Sequence, residues 1–469
     1  MNPELETLDA GEGAEGPLIP ETRGVRYRIS ERATPETIAA DFAKIARHGL
    51  NTVIISVFAE GHTFFPCESL RRAKMPAIHP AFRKRDPLAE ALIAAKDAGL
   101  RVLGHVEALH VGFDGSFRGG PILRRHPHWM MRRRFRRAVP EGNDARRCFL
   151  DPTILEARRL LGDIFTELLE GYPVSGVYLN DLRYPRGLSK PEAARFGRDL
   201  EAFLESKGLA VTRGAMTFAE DAPMFQEWQE WRNEQLNELL RYLHCRLERA
   251  SSRVWIVSQA VGPYHPETFR KELQGDWGMW LSQQYVDAVA PLYKGLAPGE
   301  FRRAVGDDLG RLSDDRVLYP LLDPEDLRDG APRMRILREM PPAGVIFRTF
   351  ENFTDDDWKV LKEFFSRPAR PVEENPYRSV LWALGECRRI LSAKPDLVEF
   401  FNDLIKVLPA EPGRRGQVLE PKLASSIAGN LRSFEKGMTE GRIELSEAER
   451  PAARWLGVAR RALALALRH

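Results

Sequence analysis

The chain has 469 residues, 43% of them hydrophobic and 29% charged, with 70 Lys and Arg against 67 Asp and Glu for a formal net charge of +3. This is the balance of a soluble globular protein with room for one large domain and a smaller one, and it gives no electrostatic reason to expect nucleic acid or a membrane surface as a partner. No apolar run approaches the ~20 residues that cross a bilayer, and Cys67, Cys148, Cys245 and Cys387 lie scattered without a Cys-x-x-Cys pair, which argues against a disulfide framework and a structural zinc site.

Residues 1–22 read as a disordered tail, acidic and Gly-rich at their start and short of large apolar side chains. They lack the basic start and apolar core of a secretory signal, so the chain as given reads as cytoplasmic, or as secreted if a leader was removed. A first strand is expected at residues 24–29. Thr34-Pro35 then opens a helix that stops at Gly49. Residues 51–57 (NTVIISV) give a second strand, Asp86-Pro87 caps a helix ending at Gly99, and residues 101–106 give a third strand. Asp151-Pro152 repeats the Asp-Pro device and opens a helix ending near Gly171. Residues 174–179 are β-branched and aromatic, a buried parallel strand. Further strands are expected at 254–258, 286–292, 317–322 and 344–350, with a long helix from about residue 223 to 249 before the first of them.

Strands alternating with helices imply a parallel sheet, and eight of them suggest an α/β fold of the (β/α)8 TIM-barrel type over residues 23–366. An open doubly wound sheet is the rival, but no Gly-x-Gly-x-x-Gly follows the first strand. Residues 367–376 form a Pro-rich polar linker. From 377 to 469 apolar residues recur at helical spacing, the pattern of a C-terminal all-α helical bundle that covers the barrel or meets a partner.

Barrel enzymes assemble their sites from the carboxyl ends of several strands. The ionisable and polar residues expected there are Glu60 and His62 after the second strand, and His105, Glu107 and His110 after the third. The fourth contributes Asn180, Asp181, Arg183 and Tyr184, the fifth Ser258 and Gln259, the sixth Tyr293 and Lys294, the seventh Asp323, and the eighth Arg348 and Glu351. Converging carboxylates suit glycoside hydrolysis, in which one carboxylic acid protonates the leaving oxygen and another acts as nucleophile or as base for a water. Asp181, Glu107 and Glu351 are the candidates by position, each with the alternative of pairing with arginines at the rim. Asp323 reads as a helix cap, and Asp287, at the opposite end of its strand, as structural. His105 and Glu107 share one side of a strand, but no third ligand has distinctive spacing for a metal, and no cofactor is expected. Sugar rings stack on flat side chains; Trp129, Tyr184, Trp277, Trp280 and Tyr293 are available, with Tyr184 and Tyr293 best placed. The arginine-rich stretch from Arg124 to Arg147 is either a solvated loop or a clamp for an anionic substrate.

These residues resemble the glycosyl hydrolase-like 10 family. The resemblance rests on Arg23-Gly-Val25, Gly49-Leu-Asn-Thr-Val53, Phe65-Pro66, His126-Pro-His-Trp129, Leu150-Asp-Pro152, Ser175-Gly-Val-Tyr-Leu-Asn-Asp-Leu-Arg-Tyr-Pro185, Trp231-Arg232 with Asn237, and Val286-Asp-Ala-Val-Ala-Pro291 with Tyr293. It implies a barrel and hydrolysis of a carbohydrate substrate. The family's paired aspartates appear here as Asn180-Asp181, its Arg-Gly after the second strand as Glu60-Gly61, and its Asn-Pro after the third as Glu107-Ala108. The leading expectation is therefore an O-glycosidase using Asp181 with Glu107 or Glu351. The alternatives are a non-catalytic glycan-binding barrel, and a barrel hydrolase or lyase for an anionic substrate. Nothing in the sequence sets the oligomeric state.

Overall fold

The computed structural model describes residues 19–115, 119–131, 144, 146–186, 199–209, 223–251, 254–260, 275–313, 315–340, 342–408, 421–440, 442–446 and 448–468. Residues 1–18 of the expected tail and the arginines at 132–137 lie outside them. In chain order the strands are β1 (Ile19–Pro20), β2 (Thr22–Tyr27), β3 (Thr52–Ala59), β4 (His62–Thr63), β5 (Arg101–Glu107), β6 (His110–Phe113), β7 (Arg147–Phe149), β8 (Gly176–Asn180), β9 (Trp255–Ala260), β10 (Ala288–Pro291), β11 (Val317–Leu318), β12 (Leu321–Leu322), β13 (Gly344–Phe347) and β14 (Ala369–Arg370). The eight strand positions anticipated from sequence are all occupied, and strand–helix alternation of this kind makes the fold an α/β barrel of the (β/α)8 type, followed by helices.

The chain divides into two compact units. The first comprises Arg26–Ala43 and Val53–Lys294. Its parallel strands run in the order β3, β5, β8, β9, β10. Every residue of β3 is buried, which is why that strand reads as an unbroken apolar and β-branched run. The helices Leu155–Gly171 and Pro223–Ala250 lie against one another, crossed by Arg158, which donates to Glu238 at 3.0 Å. Asp86 caps its helix as expected, accepting from the Ala89 N–H at 3.0 Å. Asp151 does not: its helix begins at Leu155, and its carboxylate accepts from the Thr153 N–H (2.9 Å) and hydroxyl (2.7 Å). The local turn outcompetes the cap.

The second unit comprises Met1–Val25, Lys44–Thr52 and Gly295–His469. Here β2 pairs in parallel with β13, and β13 with β12. The expected seventh strand is split into β11 and β12 by Pro320, which has no N–H for a ladder. Segments read as tail and linker meet in this unit: β1 pairs with β14, Ile19 opposite Ala369. The helix Pro376–Ile390 packs on Pro451–Arg468 and Pro395–Lys406. Glu21 ties the ends of the unit together, accepting from Arg23 at 2.8 Å and from Arg454 of the last helix at 2.9 Å, with Arg338 at 3.5 Å. Burial raises the Glu21 pKa, but the three guanidiniums outweigh it and bring the carboxyl down to about 2. Among the described residues, no helix is long and apolar enough to cross a membrane.

Candidate active site

In the first unit the strand registers fix a polar interior by parity. Glu107 stands opposite Asn180, and His105 opposite Tyr178, one pleat lower. Gln259, two residues beyond the partner of Tyr178, lies on the same side; the Tyr178 hydroxyl donates to its Oε1 at 3.2 Å, and Arg26 donates to the same oxygen at 3.4 Å. His105 lies 3.5 Å from the Ser56 hydroxyl through Nδ1, and its buried Nε2 has no partner among the described residues. Burial, then Arg26, holds the His105 pKa well below its ordinary value, so the ring is neutral. Asn180 and Gln259 are both buried.

Above this layer sits a charged cluster. Asp181 is 3% exposed and adopts a left-handed φ of 52°, as does Glu60 at the end of β3. Such conformations carry strain in a non-glycine residue and concentrate at functional sites. Arg147 donates to both Asp181 oxygens, at 3.1 Å to Oδ1 and in a second, shorter contact to Oδ2, and Arg183 reaches Oδ1 at 2.9 Å. Asn180 Nδ2 lies 3.3 Å from Oδ2. Asp144 completes the cluster, accepting from Arg183 at 2.7 and 3.0 Å, from Arg147 at 3.3 Å and from the Arg186 N–H at 2.9 Å. Burial would raise the pKa of Asp181, but Arg183 and Arg147 override it and hold the carboxyl well below the usual range. Asp181 is ionised.

Glu107 differs. Its side chain is 16% exposed; Oε2 accepts from the Glu60 N–H at 3.2 Å and lies 2.7 Å from His110 Nδ1, whereas Oε1 has no partner among the described residues. The antiparallel pair β6–β7, with His110 opposite Phe149, carries both His110 and Arg147 to the cluster. One oxygen of Glu107, one nitrogen of His110 and one oxygen of Asp181 lie within 4.8 Å of one another. Such a trio could hold a cation by spacing alone, but the guanidiniums on Asp181 oppose one electrostatically, and the set fits an ion-pair network better.

The remaining candidates fall elsewhere. Glu60 pairs with Arg28 at 3.0 Å. His62, on β4, has its ring 5.0 Å from that of His79, and burial together with His79 and Arg124 pushes its pKa down to about 4. Tyr184 and Tyr293 are corrected by burial: at 0% and 1% exposure neither offers an open face for a sugar. Tyr184 turns inward, its ring 4.8 Å from the Arg232 guanidinium. Trp129, Trp277 and Trp280 are buried too. Arg147 points into the cluster, onto Asp181 and Asp144, rather than outward as a clamp. In the second unit, Asp323 stands as expected at the N-cap of the short helix Pro324–Leu327, its N–H donating to Asp326 at 2.8 Å, while its carboxylate binds Arg348 through both oxygens at 2.7 Å; Glu351 is exposed on the turn Phe350–Asn352. Asp287 accepts from the Ile256 N–H at 2.6 Å, a structural role. The contacts that sequence reasoning left out are those of Arg147 on Asp181 and of Asp144 on Arg147 and Arg183; Asp144 and Arg147 lie 37 and 34 positions before Asp181, beyond any local pattern.

Among solved structures, the glycoside hydrolase domain of PgaB (BpsB) from Bordetella bronchiseptica aligns with 74% of this chain and 99% of its own, at 15% identity and a TM-score of 0.53. The catalytic domain of a beta-amylase from Paenibacillus polymyxa aligns with 74% of this chain and 98% of its own, at 11% identity and a TM-score of 0.49. The alpha-L-fucosidase isoenzyme 2 of Paenibacillus thiaminolyticus aligns with 74% of this chain and 49% of its own, at 10% identity and a TM-score of 0.48. The first likeness shows a shared fold and nothing finer. A comparison with curated proteins finds no match. Residues 25–298, more than half of the sequence, match the family described as Glycosyl hydrolase-like 10, and the chain belongs to that family.

Proposed function

We propose that the protein is a glycoside hydrolase cleaving an O-glycosidic bond of a poly- or oligosaccharide, with Glu107 as the carboxyl that exchanges a proton with the substrate and Asp181 as the fixed anion beside it. The contrast between these two carboxylates carries the reading. Asp181 is buried and pinned in the ionised form by two guanidiniums, while Glu107 keeps Oε1 unengaged and is joined through Oε2 to a histidine. A pair of carboxyls in different surroundings is how acid and anion roles are divided between two residues. One oxygen of each lies within 4.8 Å of the other, close enough for the two to act on one bond. Glu60 and His62, which keep partial exposure, would meet sugar hydroxyls near this pair.

The test is release of reducing ends from a panel of glycans by the wild type, Glu107→Gln and Asp181→Asn. General acid–base catalysis contributes about 10²–10⁴ in rate, so Glu107→Gln should lose at least about 100-fold in kcat. Unchanged turnover by Glu107→Gln on a glycan the wild type cleaves would refute the assignment. A second reading, a barrel that binds glycans without cleaving them, is favoured by one observation: both Asp181 oxygens are already taken by arginine donors, beside an Asn180 where the family pairs aspartates. It predicts glycan affinity with no reducing ends released over long incubation.

A further inference from the structure

His110 is 2% exposed and held between Phe113, at 5.0 Å edge-on, and Phe149, at 5.6 Å. Its Nε2 lies 3.0 Å from the Gly112 carbonyl, which can only accept, so Nε2 carries a hydrogen. Its Nδ1 then faces Glu107 Oε2 at 2.7 Å. A neutral imidazole protonated at Nε2 presents a bare lone pair at Nδ1, and an ionised carboxylate presents only lone pairs. At 2.7 Å those two repel unless a hydrogen lies between them. The charges of the cluster require the same hydrogen. Among the described residues, Glu107, Asp144 and Asp181 are three carboxylates facing two guanidiniums, Arg147 and Arg183, and one further proton brings that set to neutrality. Glu60 does not alter the count, because Arg28 pairs with it, and His105 is neutral.

We infer that His110 and Glu107 hold one proton in common and act as a unit, His110 being the positioning residue that keeps this proton at Glu107. The inference rests on the reading of Glu107 given above and extends it. In turnover the pair gives its proton, through Glu107, to the leaving oxygen as the glycosidic C–O bond breaks, and regains one from the water whose oxygen bonds the anomeric carbon as its O–H bond breaks. Proton number is restored at the end of each cycle, and no oxidant, metal or cofactor enters the step. The Gly112 carbonyl fixes which ring nitrogen faces Glu107, the arrangement that lets one histidine tautomer be selected by its second hydrogen bond.

The full chain labelled with 15N-histidine provides the test, by NMR of the His110 ring at neutral pH in the wild type and in Glu107→Gln. The expected result is a hydrogen-bonded proton coupled to Nδ1 in the wild type that is absent from Glu107→Gln, because the carboxylate that shares it is gone. A bare Nδ1 in the wild type would overturn the inference. This readout needs no glycan: a proton on Nδ1 alongside a wild type that releases no reducing ends would sink the hydrolase reading and leave the proton pair standing. In an active preparation, His110→Gln keeps a donor toward Oε2 but no transferable proton. It should move the pH optimum and lower kcat with KM held, whereas a merely structural histidine would leave the shape of the pH profile unchanged.

Discussion

Replacing Asp181 by Asn removes one of the two carboxylates bonded to Arg147 and Arg183, leaving Asp144 as their one direct partner in the cluster among the described residues, with Glu107 acting on Arg147 through its charge. Asp181 and Arg183 are almost completely buried, so water cannot take over the lost contacts, although the Arg147 side chain retains 16% exposure. Removing one partner of a buried ion pair costs about 3–5 kcal/mol, and the partial exposure of Arg147 places the expected loss near the lower end, about 3 kcal/mol. The pH dependence has a definite sign. The folded-state pKa of Asp181 lies below its unfolded value, so its contribution is present above about pH 4 and is lost as pH falls toward the folded pKa. Urea denaturation of the wild type and Asp181→Asn should therefore show the full gap at pH 7 and a narrower one at pH 3, with m unchanged. A gap below about 1 kcal/mol at pH 7, or one that does not narrow on acidification, would refute the reasoning, because the arginine pairs would then carry no more than exposed ones do. The size of the expected loss also bears on kinetics: inactivity of Asp181→Asn mixes chemistry with a loosened site, which makes Glu107→Gln the cleaner variant for rate.

Asp151, buried beside Asp199, has its pKa raised from 3.8 to about 7 by burial and then by that neighbour, with Thr153 and Arg232 opposing. A raised folded-state pKa gives stability that is present below about pH 4 and lost as pH climbs through about 7, so Asp151→Asn should be neutral in stability near pH 4 and stabilising by up to about 4 kcal/mol at pH 8; equal melting temperatures for the two proteins at pH 8 would contradict it. Gly120 has a φ of +87°, and a Cβ there would lie 2.1 Å from the Val111 carbonyl oxygen, so Gly120→Ala should cost about 2 kcal/mol or more in a denaturation experiment; a loss of only a few tenths would show that the loop yields. Glu21→Gln strands the buried arginines Arg23 and Arg454 beside Arg338 and should cost about 3–5 kcal/mol at pH 7; a melting temperature equal to that of the wild type would exclude the clasp as a stabilising element.

Strands such as β3 and β10 were legible because they are apolar runs bounded by a Gly or Pro signal, and because parallel strands are buried on both faces. Asp181 and Glu107 were legible for a related reason: an ionisable group directly after such a run must be solvated or paired. Pairing itself was not legible. Asp181 is paired by Arg147, 34 residues earlier and delivered by β7, and no local periodicity encodes that contact. The tyrosines show the complementary limit. Parity fixes side-chain direction inside a strand, but Tyr184 stands four residues past the end of β8, where parity has lapsed, and the chain turns its ring toward Arg232. Asp-Pro misleads for another reason: it marks a helix start at Asp86 and Asp323, while at Asp151 the carboxylate finds a stronger partner in Thr153.

The same electrostatic accounting bears on Asn180. Its Nδ2 lies 3.3 Å from Asp181 Oδ2. An aspartate at that position would set a second carboxylate against Asp181, and two carboxylates at that distance do not both ionise unless a further cation or proton joins them. With Asn180 the cluster balances on two arginines and a single shared proton, and that proton sits on the Glu107–His110 side rather than between two aspartates. The departure from the family's paired aspartates is therefore not simply the loss of an acid. On the proposed pairing, the proton of the cluster lies at the junction of β5 and β6 rather than at the end of β8, and the proposed activity would turn on Glu107 and His110 more than on Asp181.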